Sequence, residues 1–460
     1  MNRRARQDGR PPMKTSENQW IERLSGLAAA SSQVDSALYA KYDVKRGLRD
    51  VNGKGVLAGL TQIGDVQAHP EGDATGPGHL IYRGLDVEDL VAGFLAEGRP
   101  GFEETVYLLL AGELPNRAEL AEFSGLLGSY RGLPDDFVHD SLLKLSSRDM
   151  MNAMAQSILA MYVLDDRADD VALPNVMRQC LKLVATFPLL AAYSYQAYVY
   201  YYGKGSLVIH APRPELSTAE NFLHMLRNDS RYTPLEAQLL DLALVLHAEH
   251  GGGNNSSFTT HVVTSSLTDT YSAIAAAMGS LKGPRHGGAN LKVVQMFEDL
   301  KREVKDWTSE TQIADYLQRL LKKEAFDRAG LIYGIGHAVY STSDPRTIVL
   351  RGQVEKLAAE KGLADEMALY ERVERLAPEI IGHERKMYKG VSANVDFYSG
   401  FLYRLLEIPP ELFTPIFAMA RIAGWSAHRL EELANGGKII RPAYKSVAPR
   451  RTYVPLAARP

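Results

Sequence analysis

The sequence contains one cysteine, Cys180. No disulfide can close within the chain, and a thiolate zinc cluster is excluded; a reducing compartment fits. There is no apolar run long enough to span a bilayer. Neither sign of charge is in excess, since 52 Lys and Arg stand against 55 Asp and Glu for a net charge of -3. Nothing in that balance points to nucleic acid or an anionic membrane, so a cationic site has to be a local cluster. A Walker loop, a GxGxxG following a strand and a GxSxG elbow are all missing. The opening MNRRARQDGRPPMKTSEN is arginine-rich but lacks the apolar stretch of a secretory signal. It is expected to be a disordered tail, or to precede a natural start at Met13, in a bacterial cytoplasmic protein rather than to be a mitochondrial transit peptide.

What is present is helix. At 460 residues the chain can bury a large core, in two domains or one big one. Glu103 to Ala111 is apolar at helical spacing, with Gly112 as its stop and Pro115 opening the next element. Ser217 and Glu220 form a capping box. Leu235 to Glu249 is apolar on most sides and reads as a deeply buried helix, ending at three glycines. Asn255 and Ser256 can cap the next helix, Asp269 another, and Asn290 opens one more. Strand signals are few: VLAGLTQI near residue 60, and HLIYR before Gly84. The tyrosines from Tyr193 to Tyr202 read as core or interface. The fold is therefore expected to be mainly α with minor β near the N-terminus. The expected organisation is a partly disordered tail over 1–40, a large helical domain over 41–286, a smaller, more charged helical domain inserted over 287–396, and a return to the large domain over 397–460.

Against that background several motifs carry chemistry. Three histidines sit at glycine-rich breaks: His250 in HAEHGGGNNSS, His286 in KGPRHGGAN and His337 in YGIGHAVYSTSDPR. Glycine allows close approach to a ligand there. Asp396, in SANVDFYSG, can be a general base, although alone it also suits a helix cap or a salt bridge. His286 precedes a helix beginning near Ala289 or Asn290. A helix N-terminus disfavours imidazolium, so a neutral ring could donate to a developing enolate oxygen. Arg346 follows His337 by nine positions, and Arg421 lies in the apolar FAMARIAGW. A buried guanidinium is costly without a paired anion. Arg441 stands in KIIRP. Several arginines with several histidines suggest a small di- or tricarboxylate ligand. His247, Glu249, His250 and His261 crowd one region, yet the spacing is HxxH without HExxH or an evident acidic third ligand, so no metal is expected.

Together and in order, HAEHGGGNNSSFTTH, GPRHGGAN, GIGHAVYSTSDPR, NVDFYSG, FAMARIAGW and IIRP resemble the citrate synthase family, with weaker matches at YRGLDVEDL and PRPELSTAENFL. The resemblance implies condensation of acetyl-CoA with oxaloacetate and hydrolysis of citryl-CoA, with no cofactor beyond these substrates. It implies Asp396 as the base, His286 as donor to the thioester oxygen, and His337 as the group that polarises the ketone. His250, Arg346 and Arg421 are implied to bind oxaloacetate or citrate. Arg441 is implied to reach a neighbouring subunit's site, which makes at least a homodimer; dimer against hexamer stays open. For CoA, Gly334, Ile335 and Gly336 are expected to pack the adenine. Ser341 stands where relatives often carry a cation, and Lys389 could substitute. A carboxylate of ordinary pKa, about 4, matches a thioester methyl poorly, so the enol oxygen must be stabilised as the proton leaves. The alternatives within reach are the 2-methylcitrate synthases, which use propionyl-CoA, and a non-catalytic binding relative.

Overall fold

The computed structural model describes residues 16–459 apart from 51–52, 70–72, 74–75, 338, 341 and 386–389. Ser341 and Lys389 therefore lie outside the described residues. The chain divides into two compact units, Gly59–Ile440 and the terminal segments Met1–Ala58 with Arg441–Pro460. In the terminal unit, Ser16 and Gln19 form a capping box on helix Glu17–Ser31, and a second short helix covers Ser36–Lys41.

The larger unit is helical around one apolar core. Its sheet is small: β1 (Gly64–Gln67), β2 (His79–Tyr82) and β3 (Leu85–Asp86) form an antiparallel meander, with Gly64 opposite Tyr82 and Ile81 opposite Asp86. HLIYR is thus a strand as expected, but VLAGLTQI is not. Leu57 and Leu60 are exposed and only Ile63 is buried, so that run has no face to cover and the ladder begins after it. The helix at Phe102–Ala111 stops at Gly112, whose φ of 88° lets its N–H return to Leu108.

Nine helices position the site: α1 (Leu173–Tyr202), α2 (Pro234–His247), α3 (Asn255–Thr264), α4 (Thr270–Lys282), α5 (Ala289–Glu303), α6 (Pro345–Glu360), α7 (Ala364–Arg385), α8 (Val395–Leu405) and α9 (Phe413–Ala434). In α2 nearly every side chain after Leu235 is buried, as its all-round apolar sequence requires. Asp269 caps α4 by accepting from Ser272 N–H. At α3 the cap falls one residue earlier than expected, on Asn254; Asn255 and Ser256 are already helical, and the Ser256 hydroxyl turns to other partners. On α1, Tyr193 is buried, while Tyr200 and Tyr201 face outward.

Helix α9 lies deepest. Residues from Ile416 to Arg429, Phe417 apart, are buried, including Arg421, Trp425, His428 and Arg429. It approaches the end of α2 closely because Gly424 has no side chain: its N–H bonds Ala248 O at 3.2 Å, and a Cβ there would stand 2.5 Å from that oxygen.

Candidate active site

The break after α2 is fixed from beneath. Tyr82, fully buried on β2, donates its hydroxyl towards Val245 O (3.0 Å) and Glu249 O (3.2 Å). That ties the sheet to the turn that carries His250. The His250 ring meets His337 edge-on, with centroids 5.1 Å apart, and Tyr340 at 5.8 Å; His337 and Tyr340 stack at 4.6 Å. Two motifs nearly ninety residues apart thus share one aromatic cluster. Burial first, then the Arg346 charge, holds His250 well below the usual imidazole pKa, so its ring is neutral. Its Nε2 is buried with no hydrogen-bond partner among the described residues.

His337 has a set tautomer. Its Nδ1 accepts from the backbone N–H of Val339 and of Tyr340, each at 3.1 Å. The neutral ring must then carry its proton on Nε2, as a hydrogen-bond donor. The loop before it is paired to the segment leading into α8. Gly336 N–H donates to Ser392 O (2.7 Å), Asn394 N–H to Gly334 O (2.9 Å), and Asn394 Nδ2 to Gly336 O (2.8 Å). Gly334, at φ 80°, packs so near Phe397 that a Cβ would stand 3.1 Å from its Cα. These contacts hold the loop before His337 against the segment that leads into Asp396.

Two arginines supply the charge, in different states. Arg346 is fully engaged on one edge: Nε and Nη2 donate to Asp344 at 3.0 and 2.7 Å, both groups buried. Burial opposes its charge, but Asp344 more than offsets this and raises its pKa. Asp344 also caps α6 and accepts from Val395 N–H at 3.2 Å, so it joins Arg346 to the start of α8. Arg421 is not paired in this way. Its Nε donates to His247 O at 2.7 Å, while Nη1 and Nη2 are buried without a hydrogen-bond partner among the described residues. Burial lowers its pKa to about 10, against the pull of nearby Glu249. Both arginines act electrostatically on His247, His250 and Asp396.

Asp396 sits in the first turn of α8, its N–H capped by Asn394 Oδ1 at 3.0 Å. A helix N-terminus lowers a carboxylate pKa. Here burial dominates: it pushes Asp396 up to about 6, against Arg346 and helped by Asp344. A carboxylate so placed is better matched to accepting a proton near neutral pH than one at its ordinary value. His286 stands just before α5, which begins at Ala289. Burial, then Arg421, lowers it to about 4, so it is neutral near pH 7. Its Nε2 lies 3.0 Å from Ser256 Oγ, which accepts from Trp425 Nε1–H at 3.0 Å and donates to Asn254 Oδ1 at 3.0 Å. When that single hydroxyl proton turns from Asn254 to His286 Nε2, the imidazole proton is on Nδ1, available to a ligand.

The residues singled out in the sequence thus divide. His250, His337, Arg346, Arg421, Asp396 and His286 share one electrostatic neighbourhood. Arg441 belongs to the terminal unit, where it is exposed. The crowd of His247, Glu249, His250 and His261 does not gather as one set: His247 stacks on Phe417 at 4.6 Å and His250 meets His337, while Glu249 and His261 both reach His428, at 2.9 and 3.1 Å. Sequence reading missed Asp344, Tyr340, Ser256 and Trp425. The DPR of the motif held the only signal for Asp344, and it reads equally as a helix cap.

The family model for "Citrate synthase, C-terminal domain" matches residues 48–443. The chain is 36% identical over 422 residues to a citrate synthase of Acidithiobacillus ferridurans, covering 87% of this chain and 98% of that one. It is 33% identical over 410 residues to a 2-methylcitrate synthase of Shewanella oneidensis, covering 88% and 97%. Among solved structures, a citrate synthase of Pyrobaculum aerophilum superposes with a TM-score of 0.72 at 30% identity, covering 89% and 95%. A citrate synthase of Thermoplasma acidophilum, in ternary complex with carboxymethyl coenzyme A and oxaloacetate, superposes with a TM-score of 0.73 at 26% identity, covering 90% and 99%.

Proposed function

The chain belongs to the citrate synthase family, and from that premise we propose that it condenses acetyl-CoA with oxaloacetate and hydrolyses the resulting thioester to citrate and CoA, using the six residues gathered above. The observation that carries this reading is Arg421, whose two terminal nitrogens are buried and, among the described residues, without a hydrogen-bond partner, beside neutral imidazoles. Such a guanidinium calls for a planar anion, and a carboxylate of oxaloacetate has the right fork. Arg346, with one edge given to Asp344, offers its remaining nitrogen, and His250 Nε2 takes part in the same grip.

With oxaloacetate held, His337 Nε2–H points its proton at the ketone oxygen. Asp396 removes a proton from the methyl carbon of acetyl-CoA as His286 Nδ1–H bonds the thioester oxygen, giving the hydrogen-bonded enolate. The enolate carbon attacks the polarised ketone carbon, and His337 passes its proton to the new alkoxide. Water then cleaves the thioester and releases CoA. A pKa of about 6 lets Asp396 be ionised near neutral pH while still basic enough to accept a proton. Gly334, Ile335 and Gly336 pack the nucleotide of CoA, residues 287–396 close over the bound oxaloacetate as a smaller domain, and Arg441 serves a second copy's site in a homodimer.

A thiol-release assay with acetyl-CoA and propionyl-CoA against oxaloacetate, on the parent and on Asp396→Asn, tests the proposal. Release of CoA that needs oxaloacetate and vanishes in Asp396→Asn supports it. An active variant removes the base from Asp396. A clear preference for propionyl-CoA, worth about 1–3 kcal/mol for one methylene, assigns the chain to the 2-methylcitrate branch instead.

A further inference from the structure

Next to this site, on the far side of Glu249, three hydrogen-bond acceptors converge with no donor among them. His428 Nδ1 faces His261 Nε2 at 3.1 Å. The outer nitrogen of each ring is held by a carboxylate: His428 Nε2 by Glu249 Oε1 at 2.9 Å, and His261 Nδ1 by Glu432 Oε2 at 2.8 Å. Ionised carboxylates only accept, so both outer nitrogens carry the N–H of a neutral ring. The two inner nitrogens therefore turn lone pairs towards each other. The third acceptor is Glu431. Its Oε1 receives the Gln62 backbone N–H at 2.7 Å, which fixes the side chain. Its Oε2 is buried without a hydrogen-bond partner among the described residues, 3.9 Å from His428 Nδ1, on a side chain only 10% exposed.

Acceptors so arranged repel unless something positive lies between them. A proton shared by the two imidazoles would answer their lone pairs but not Glu431 Oε2, which at 3.9 Å is beyond hydrogen-bond reach. A divalent ion answers all three at once. We propose that His261, His428 and Glu431 form a binding site for a divalent transition-metal ion of the zinc type. The three ligand atoms lie within 4.8 Å of one another. Metal–ligand bonds of about 2.0–2.1 Å place tetrahedral ligands roughly 3.3 Å apart; the two imidazole nitrogens at 3.1 Å already fit, and Glu431 closes in from 3.9 Å of His428 Nδ1. Two imidazoles and a carboxylate suit zinc among the biological divalent ions. The carboxylates behind the rings, Glu249 and Glu432, are the partners that orient metal-binding histidines and raise their basicity.

The backbone supports the same reading. His428 and Glu431 stand three residues apart on one face of α9, and His261 comes from α3, so the ion fastens two helices together. A Cβ at Gly252 would stand 3.5 Å from His261 Nε2 and 3.7 Å from His428 Nδ1. The glycine thus leaves a fourth position open to water. The ion does not enter the condensation: none of its three ligands belongs to the six residues assigned there.

The test uses the full chain, freed of metal by a chelator and titrated with Zn2+ by calorimetry and with Co2+ by visible absorption. The expected result is one ion per chain and a four-coordinate cobalt spectrum. His261→Asn and Glu431→Gln should abolish both, and Glu432→Gln, which keeps all three ligands, should weaken binding ~10–100-fold. His139→Gln, on an exposed histidine, should change nothing. Circular dichroism of each variant separates lost binding from lost fold. Absence of stoichiometric binding in the parent overturns the proposal, as does binding unchanged in folded Glu431→Gln or His261→Asn. Imidazole 15N resonances that report a proton shared by the ring pair and do not respond to Zn2+ also overturn it.

Discussion

Arg346 and Arg421 are equally deep but differently paired, and the same substitution in each should separate folding from binding. Arg346→Met strips Asp344 of its partner and leaves a carboxylate buried and uncompensated. Breaking a buried pair from one side costs about 3–5 kcal/mol, and Asp344 also holds the start of α8, so unfolding should move to markedly lower urea. Arg421→Met removes a charge that has no paired anion in hydrogen-bond range among the described residues. Relief of the two unsatisfied terminal nitrogens contributes about 1–3 kcal/mol each, while the lost bond from Nε to His247 O costs about 1.5–3 kcal/mol. The relief matches or outweighs the loss, so the ligand-free variant should be at most about 1 kcal/mol less stable than the parent. Binding behaves otherwise. Loss of a buried charge-assisted fork costs about 2–5 kcal/mol, or roughly 30- to 4000-fold in affinity for oxaloacetate at about 1.4 kcal/mol per tenfold. Urea titrations with and without oxaloacetate read both quantities in one experiment. If Arg421→Met is as unstable as Arg346→Met, or still gains stability from oxaloacetate, the account of Arg421 as an anion receptor fails.

Asp396 titrates at about 6 when folded, above its usual 3.8, so the folded chain holds more protons than the unfolded one between those values. Stability from this group therefore falls as pH rises through that window; Asp396→Asn should flatten the dependence there. In the parent, the rising limb of kcat should lie near pH 6. His286, lowered to about 4, should give the NMR signature of a neutral ring at pH 6. His286→Ala should lower kcat by ~10²–10³. Ser256→Ala should lower kcat by less, with KM for oxaloacetate unchanged, because it loosens the ring without touching that substrate. Gly424→Ala brings a methyl against Ala248 O and Glu249 Oε2; denaturation should show a loss of about 1–3 kcal/mol from overpacking.

Groups that announce themselves by residue type beside glycine were legible in the sequence: His250, His286 and His337 at their breaks, and an arginine set in apolar sequence at Arg421. The helical character was legible from periodicity, and caps at Ser217 and Asp269 from side chains that compete for backbone N–H. Asp344 was not, because a cap and a charge partner look the same before folding. Ser256 was read as a cap, yet its hydroxyl serves Trp425 and His286, partners 169 and 30 residues away. The false strand at VLAGLTQI shows the converse: local β-propensity forms nothing without a neighbour to pair with. The raised pKa of Asp396 is a product of burial, which no local pattern encodes.

The three backbone and amide bonds that pair residues 334–336 with 392–394 have a mechanical consequence. In the proposed mechanism His337 serves the acceptor ketone and Asp396 the donor methyl, yet they are mounted on the same bracket. A force that draws one imidazole towards a keto acid must carry the carboxylate with it. Arrival of the first substrate would thereby aim the tool meant for the second, and an enzyme so built discourages enolising its thioester with nothing to attack.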